Sequence, residues 1–209
     1  MAISTYTELQ SAIADWLNRD DLAAVIPTFI SLAEVGMERV LRTRNMLVRA
    51  NAPIDTQYSA VPANFLEVRS IKITSVAPIQ PMEFQTMDAM DVLDSKDQAS
   101  GKPKYYTIVG TQLRVHPIPS GVHTAELAYY ARLDKLSDTL TSNWILTKSP
   151  DAYLYGALLQ AAPYLKDDER TAVWTTLYAA AIQAMQTADD RASTAGGALK
   201  TRSQAFGVN

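Results

Sequence analysis

The 209-residue chain contains no cysteine, so disulfide frameworks, thiolate metal sites and cysteine nucleophiles are excluded. Histidine is nearly absent too. His116 and His123 are the only two, seven positions apart. They offer at most two ligands of a metal site, with no third set by spacing, and read more simply as turn or solvent-facing residues. Neither sign of charge dominates: 19 basic residues face 22 acidic ones, for a net charge of −3. That balance gives no electrostatic reason for non-specific binding to nucleic acid or an anionic membrane. No apolar run approaches the roughly 18 residues needed to span a bilayer. The opening MAISTYTELQ lacks both a basic stretch and an apolar stretch, so it does not read as a signal peptide, and a cytosolic product is expected.

Catalytic motifs are missing as well. There is no Gly-x-Ser-x-Gly elbow. The Gly196–Gly197 pair follows a helix, where a phosphate loop would follow a strand. The acidic residues include no spacing that singles out a pair for glycoside hydrolysis. No cofactor and no metal is expected. No repeat of fixed period is present.

Periodicity divides what remains into three parts. Thr5 and Glu8 have capping-box spacing. Leu9, Ala12, Ile13, Trp16 and Leu17 then form one apolar helical face. A polar break at Asn18 to Asp21 precedes a second helix starting near Pro27, with Phe29, Ile30, Ala33, Met37, Val40 and Leu41 on its apolar face. Eight of the ten prolines lie between Pro53 and Pro150, where they would break a long helix. Within that region Met46 to Asn51, Phe65 to Ile73, Tyr105 to Val109, Gln112 to His116 and Ala125 to Leu133 read as strands, with a hairpin at Gly110. A short helical turn is expected at Thr86 to Leu93, and a polar linker at Asp134 to Asn143.

Ser149, Pro150 and Asp151 open a third helix, with Tyr153, Leu154, Ala157, Leu158, Ala161 and Leu165 inward and Pro163 kinking or stopping it. The fourth helix, Asp167 to about Ala192, carries Val173, Trp174, Leu177, Tyr178, Ala181, Ile182 and Met185, and is expected to bury against the other helices and a neighbouring subunit. The fold class is therefore α+β. Residues 1–45 and 140–192 form a helical bundle, 46–139 an inserted small antiparallel β domain, and 193–209 a tail too poor in apolar groups to order itself without a partner.

Three surface features have a plain reading and a functional one. Asp88, Asp91 and Asp94 recur every three residues, as a solvated helix face would, without the glycine and glutamate of a calcium loop. Arg39, Arg42 and Arg44 crowd a helix C-terminus, where cations complement the macrodipole, and with Arg49 are the one basic cluster. Tyr105 with Tyr106 and Tyr129 with Tyr130 place one ring on each face of a sheet, leaving an outward aromatic for cross-strand packing or an interface.

The stretch from Asn143 to Trp174, NWILTKSPDAYLYGALLQAAPYLKDDERTAVW, resembles the head-to-tail adaptor (connector) family of tailed bacteriophages. The similar elements are Asn143 to Leu146, Pro150 to Leu158 and Ala161 to Asp168. Similar pieces occur earlier, in Ile26 to Glu34, Arg44 to Met46, Tyr105 to Gly110 and Tyr129 to Leu133. Their order carries the resemblance. Ile145 and Gln160 depart from a commoner leucine and a commoner acidic residue.

The resemblance implies a structural virion protein and not an enzyme: a subunit of a ring, usually dodecameric, at the head-to-tail interface of a virion made in the host cytoplasm. The ring would dock under the portal and meet a tail or nozzle protein, with double-stranded DNA passing through its lumen without sequence-specific binding. The bundle would form the ring wall and the β part would face the tail. The C-terminal tail would reach the portal or a neighbouring subunit, which makes Leu199, Lys200, Arg202 and Phe206 the candidate partner-binding residues. Wide apolar helix faces suit a ring closed by heterologous contacts, and mild acidity suits a lumen that lets DNA slide. The alternatives are a head-closure or tail-completion protein, or a virion-associated cell-wall hydrolase.

Overall fold

In the computed structural model, which describes residues 3–96, 100–165 and 170–194, the first helix, α1 (Tyr6–Leu17), starts where its capping box predicts. The Thr5 hydroxyl accepts the Glu8 N–H at 3.3 Å, and the Glu8 carboxylate accepts the Thr5 N–H at 3.0 Å. Asn18, at φ 54°, closes the helix in the left-handed region and accounts for the polar break. α2 (Ile26–Val40) carries Pro27 in its first turn. α4 (Trp144–Lys148), α5 (Pro150–Leu165) and α6 (Thr171–Thr194) complete the helical unit, which comprises residues 1–43 and the described part of 134–209.

α5 is the hub of this unit and packs against α1, α2, α4 and α6. Its buried residues run around most of the helix, from Ala152 to Ala162. Gly156 sits at the closest approach. A Cβ there would lie 3.2 Å from the Ala33 Cβ and 3.1 Å from the Tyr178 ring. Pro163 lies inside α5, two residues before Leu165, the last described residue of the helix. Two expected core residues are exposed instead. Trp16 meets Tyr155 edge-on at 5.7 Å and remains 45% exposed, and Val40 lies at the end of α2. Residues 134–142 also belong to the helical unit, with Leu136 buried among its helices.

The β unit, residues 44–133, begins with a 3-10 turn (Arg44–Met46), and its described residues form three sheets. In the first, β9 (His123–Ala131) lies between β1 (Leu47–Ile54) and β3 (Phe65–Ile73), both antiparallel to it. The second has the order β2 (Tyr58–Ala60), β7 (Gln112–His116), β6 (Tyr105–Val109), β4 (Glu83–Phe84). The β6–β7 hairpin turns at Gly110, whose φ of +61° favours glycine. β5 (Ser100–Gly101) pairs with β8 (Ile118–Pro119). That pair and the β4–β6 pair are parallel, each two residues long, within an otherwise antiparallel arrangement. Ile54, Ile71, Ile73, Met82, Tyr106, Leu113, Val115 and Ala125 form the core between the sheets. α3 (Met87–Lys96) covers part of β6 and β7.

Both histidines are buried, contrary to their reading as turn or surface residues. His116 is the last residue of β7, on the face opposite the core residues Leu113 and Val115, where it meets Asp94 of α3, and His123 is the first residue of β9; both flank the turn but are covered.

Candidate functional site

The most unusual surface of the helical unit is on α6. From Thr171 to Ala188 the helix carries no charged side chain, yet among the described residues only Trp174, Ala181, Ile182 and Met185 are buried. Val173 is 57% exposed and Leu177 36%. The rest of the open face is alanine, threonine and glutamine. A helix face in contact with water ordinarily carries lysine and glutamate, so an uncharged face of small residues is suited to close packing against another protein surface. At its start, the Arg170 guanidinium stacks 4.9 Å over the Trp174 ring and donates to the Trp16 carbonyl at 3.0 Å, tying α6 to α1. A groove of about 610 Å³ runs beside α6 between α2 and α5, with Gly36, Val40, Leu159 and Tyr178 among its lining.

The helical unit also holds a polar network the sequence did not announce. Glu34, on the inward face of α2, is 2% exposed. Its Oε1 accepts the Leu136 N–H at 2.7 Å and the Tyr153 hydroxyl at 3.0 Å. The Asn143 amide donates to the Tyr153 oxygen at 2.6 Å and to the Asp134 carbonyl at 2.8 Å. The Asn143 Oδ1 caps α4 by accepting the N–H groups of Ile145 and Leu146. Burial pushes the Glu34 carboxyl above the usual carboxylate range, against the opposing pull of these two donors. Burial first, and then the adjacent Glu34 charge, raise the Tyr153 phenol. The Tyr153 hydroxyl thus keeps its proton and donates to Glu34 Oε1.

The β unit has its own charged cluster, and it corrects the reading of Asp88, Asp91 and Asp94 as one solvated face. Asp94 and Asp91 hold the buried Arg114 of β7. Arg114 Nη1 reaches Asp91 Oδ1 at 2.6 Å, and Nη2 reaches Asp94 Oδ2 at 2.6 Å. Asp94 also accepts from the Gln57 amide at 2.6 Å and lies 2.8 Å from His116 Nδ1. Tyr58 lies under the guanidinium at 5.9 Å, and Tyr105 stacks on His116 at 6.5 Å. Burial would raise the Asp94 carboxyl, but the hydrogen bonds from Arg114, His116 and Gln57 outweigh it and hold it below the usual range. Arg114, despite its burial, is held more firmly protonated by the same carboxylates. The signal for this cluster in the sequence is weak: a polar Arg-x-His pair at alternate positions of a strand, on the face opposite Leu113 and Val115.

The remaining candidates scatter. Arg42 donates to the carbonyls of Glu38 and Leu41 at the end of α2. Arg49 is on β1, 3.5 Å from Glu126. The two belong to different units. Tyr106 and Tyr129 are buried, while Tyr105 and Tyr130 are half-exposed, as alternation predicts. Among the described residues, no group of three or more histidine, aspartate and glutamate side chains is placed to hold a metal, and no helix is long and apolar enough to cross a membrane. Leu199, Lys200, Arg202 and Phe206 lie outside the described residues.

Comparison with known proteins adds one finding. A family model described as SU10 adaptor protein matches residues 4–202, nearly the whole chain. No curated protein matches it.

Proposed function

Because the chain belongs to the SU10 adaptor protein family, a family of phage structural proteins, we propose that it is the subunit of a ring joining the portal of a filled head to the tail. The family match over residues 4–202 carries this reading. The uncharged outer face of α6 supports it. Copies arranged head-to-tail in a closed ring each need a face that buries against the next copy, and such a face has no use for charge at its centre. In this reading the ring is a dodecamer, DNA passes through its lumen unread, and the chain works through surfaces and not through catalysis. Leu199, Lys200, Arg202 and Phe206 would contact the portal or a neighbouring subunit, and the β unit would face the tail. The helical unit would act as the ring wall, with residues 44–133 as the tail-side insertion and 193–209 as the portal-reaching segment.

The decisive measurement is native mass and negative-stain microscopy of the purified chain, alone and mixed with the portal protein of its own phage. Rings of uniform subunit number on the portal are expected. A chain deleted from Ser193 to Asn209 should keep its circular dichroism and lose portal attachment. Absence of any complex between full-length chain and portal would sink the reading.

A further inference from the structure

The groove beside α6 is lined without charge among the described residues. Val40 of α2 stands at its edge, 51% exposed, with Leu159 of α5 and Tyr178 and Ile182 of α6 facing it. Gly36 keeps one side open, since a Cβ there would meet only the Tyr178 hydroxyl, 3.7 Å away. The volume of about 610 Å³ is that of a cleft able to bury several side chains. Gln160 and Gln183 in the lining offer amides to a backbone laid along it. A second concavity of about 400 Å³ shares Gln183 with the first and follows α6 as far as Arg191, one turn from the helix end at Thr194.

What continues from that end is the rest of the chain. Residues 195–209, AGGALKTRSQAFGVN, lie outside the described residues. Gly196 and Gly197 fall just past the helix, where glycine lets a chain leave the helical path and turn back. The lengths permit a return along α6. Leu199 reaches up to about 17 Å beyond Thr194, and Gln186 lies about 12 Å back along the helix. Phe206 reaches up to about 40 Å, and Tyr178 lies about 24 Å back. Charge agrees with this path. The segment carries Lys200 and Arg202 and no acidic residue, and it would pass the exposed Asp190 before its apolar part met the uncharged groove.

We propose that in the free chain residues 198–209 fold back along α6 and seat Leu199 and Phe206 in the groove between α2, α5 and α6 of the same chain. A tether this short holds the segment at an effective concentration on the order of millimolar, so even a weak fit fills the groove without a second molecule. Docking there covers Val40 and the open side of Gly36. It also withholds Leu199 and Phe206 from any other protein. In the ring they would turn to the portal or a neighbouring subunit; that exchange rests on the ring reading, and the docking in the free chain does not.

The chain has no cysteine, so one introduced thiol reports on one place. Gln160→Cys puts it in the groove, and Thr175→Cys puts it on the exposed face of α6 outside the groove. Each full-length variant is labelled with a bulky maleimide, with and without the added pair Leu199→Asp/Phe206→Asp. The pair changes residues outside the described helices, and circular dichroism checks that the fold is kept. Labelling at Gln160→Cys should be at least about tenfold slower with Leu199 and Phe206 in place than with the aspartates, because the label enters only when the segment lifts. Labelling at Thr175→Cys should be the same in both. Equal rates at Gln160→Cys overturn the proposal. So does a protection that fades on dilution, since a neighbouring copy would then be the occupant. The measurement needs neither portal nor ring, so it can fail while the ring reading stands.

Discussion

Tyr153→Phe tests whether the buried network holds the helical unit together. The side chain is fully buried, so the substitution changes no exposed surface. It removes one hydrogen bond donated to the Glu34 carboxylate at 3.0 Å and one accepted from the Asn143 amide at 2.6 Å. A bond to a charged group contributes about 1.5–3 kcal/mol and a neutral one about 0.5–1.5 kcal/mol. Two facts lower the sum. Glu34 keeps the Leu136 N–H and Asn143 keeps the Asp134 carbonyl, so neither partner is orphaned, and phenylalanine buries no hydroxyl. A loss of about 2–3 kcal/mol follows.

The assay is unfolding in urea followed by tryptophan fluorescence. All three tryptophans, Trp16, Trp144 and Trp174, belong to the helical unit, so the signal ignores the β unit. The midpoint should fall with the slope unchanged. A loss under about 0.5 kcal/mol would refute the network's role. The same signal reads the pH linkage of Glu34. Its folded-state pKa is raised, so the folded chain binds the proton more tightly, and the helical unit should lose stability as pH rises from the usual carboxylate value through the raised one. Glu34→Gln should remove that slope.

Three further outcomes are expected. Trp174→Ala should cost about 3–5 kcal/mol by the same assay, and a change under about 1 kcal/mol would place the ring outside the core. Gly156→Ala should cost about 1–3 kcal/mol, because its methyl would press on the Ala33 Cβ and the Tyr178 ring; a neutral result would show that the helices yield there. In the β unit the sign of the pH effect reverses. Asp94 is held below its usual range, so its contribution is present above the unfolded-state pKa and is lost as pH falls through the folded value. Hydrogen exchange of the β6–β7 amides should accelerate across that acid window in the native chain and not in Asp94→Asn.

Elements with strong local signals were legible from the sequence. The capping box at Thr5, Pro27 in the first turn of α2, the strand Phe65–Ile73 and the Gly110 hairpin all stand where spacing and turn chemistry predict. α4 was not, because five residues are too few to show a helical period, and its cap, Asn143, reads equally well as part of a linker. The two charged clusters were hidden for another reason. Glu34 lies on the buried face of an otherwise ordinary helix, and Arg114 with His116 alternates on a strand, so each looks like a single polar interruption of an apolar pattern. Their partners are distant in the chain, at Leu136 and Tyr153 for Glu34 and at Asp91 and Asp94 for Arg114. Periodicity reports which side of an element faces inward, and it carries nothing about what waits there. The family, by contrast, was legible because it depends on the order of short pieces along most of the chain.

Asn143 deserves a last consequence. As a helix cap, asparagine and aspartate are nearly equivalent, since either offers a side-chain oxygen to the first free N–H groups. Here the oxygen is only half the residue. Its amide nitrogen reaches the Asp134 carbonyl and the Tyr153 hydroxyl. Asn143→Asp would keep α4 capped and set a second carboxylate into the neighbourhood of Glu34, facing a carbonyl it cannot bond. One side chain thus speaks two languages, a local one that starts a helix and a long-range one that fastens the strand-to-helix return, and only asparagine is fluent in both.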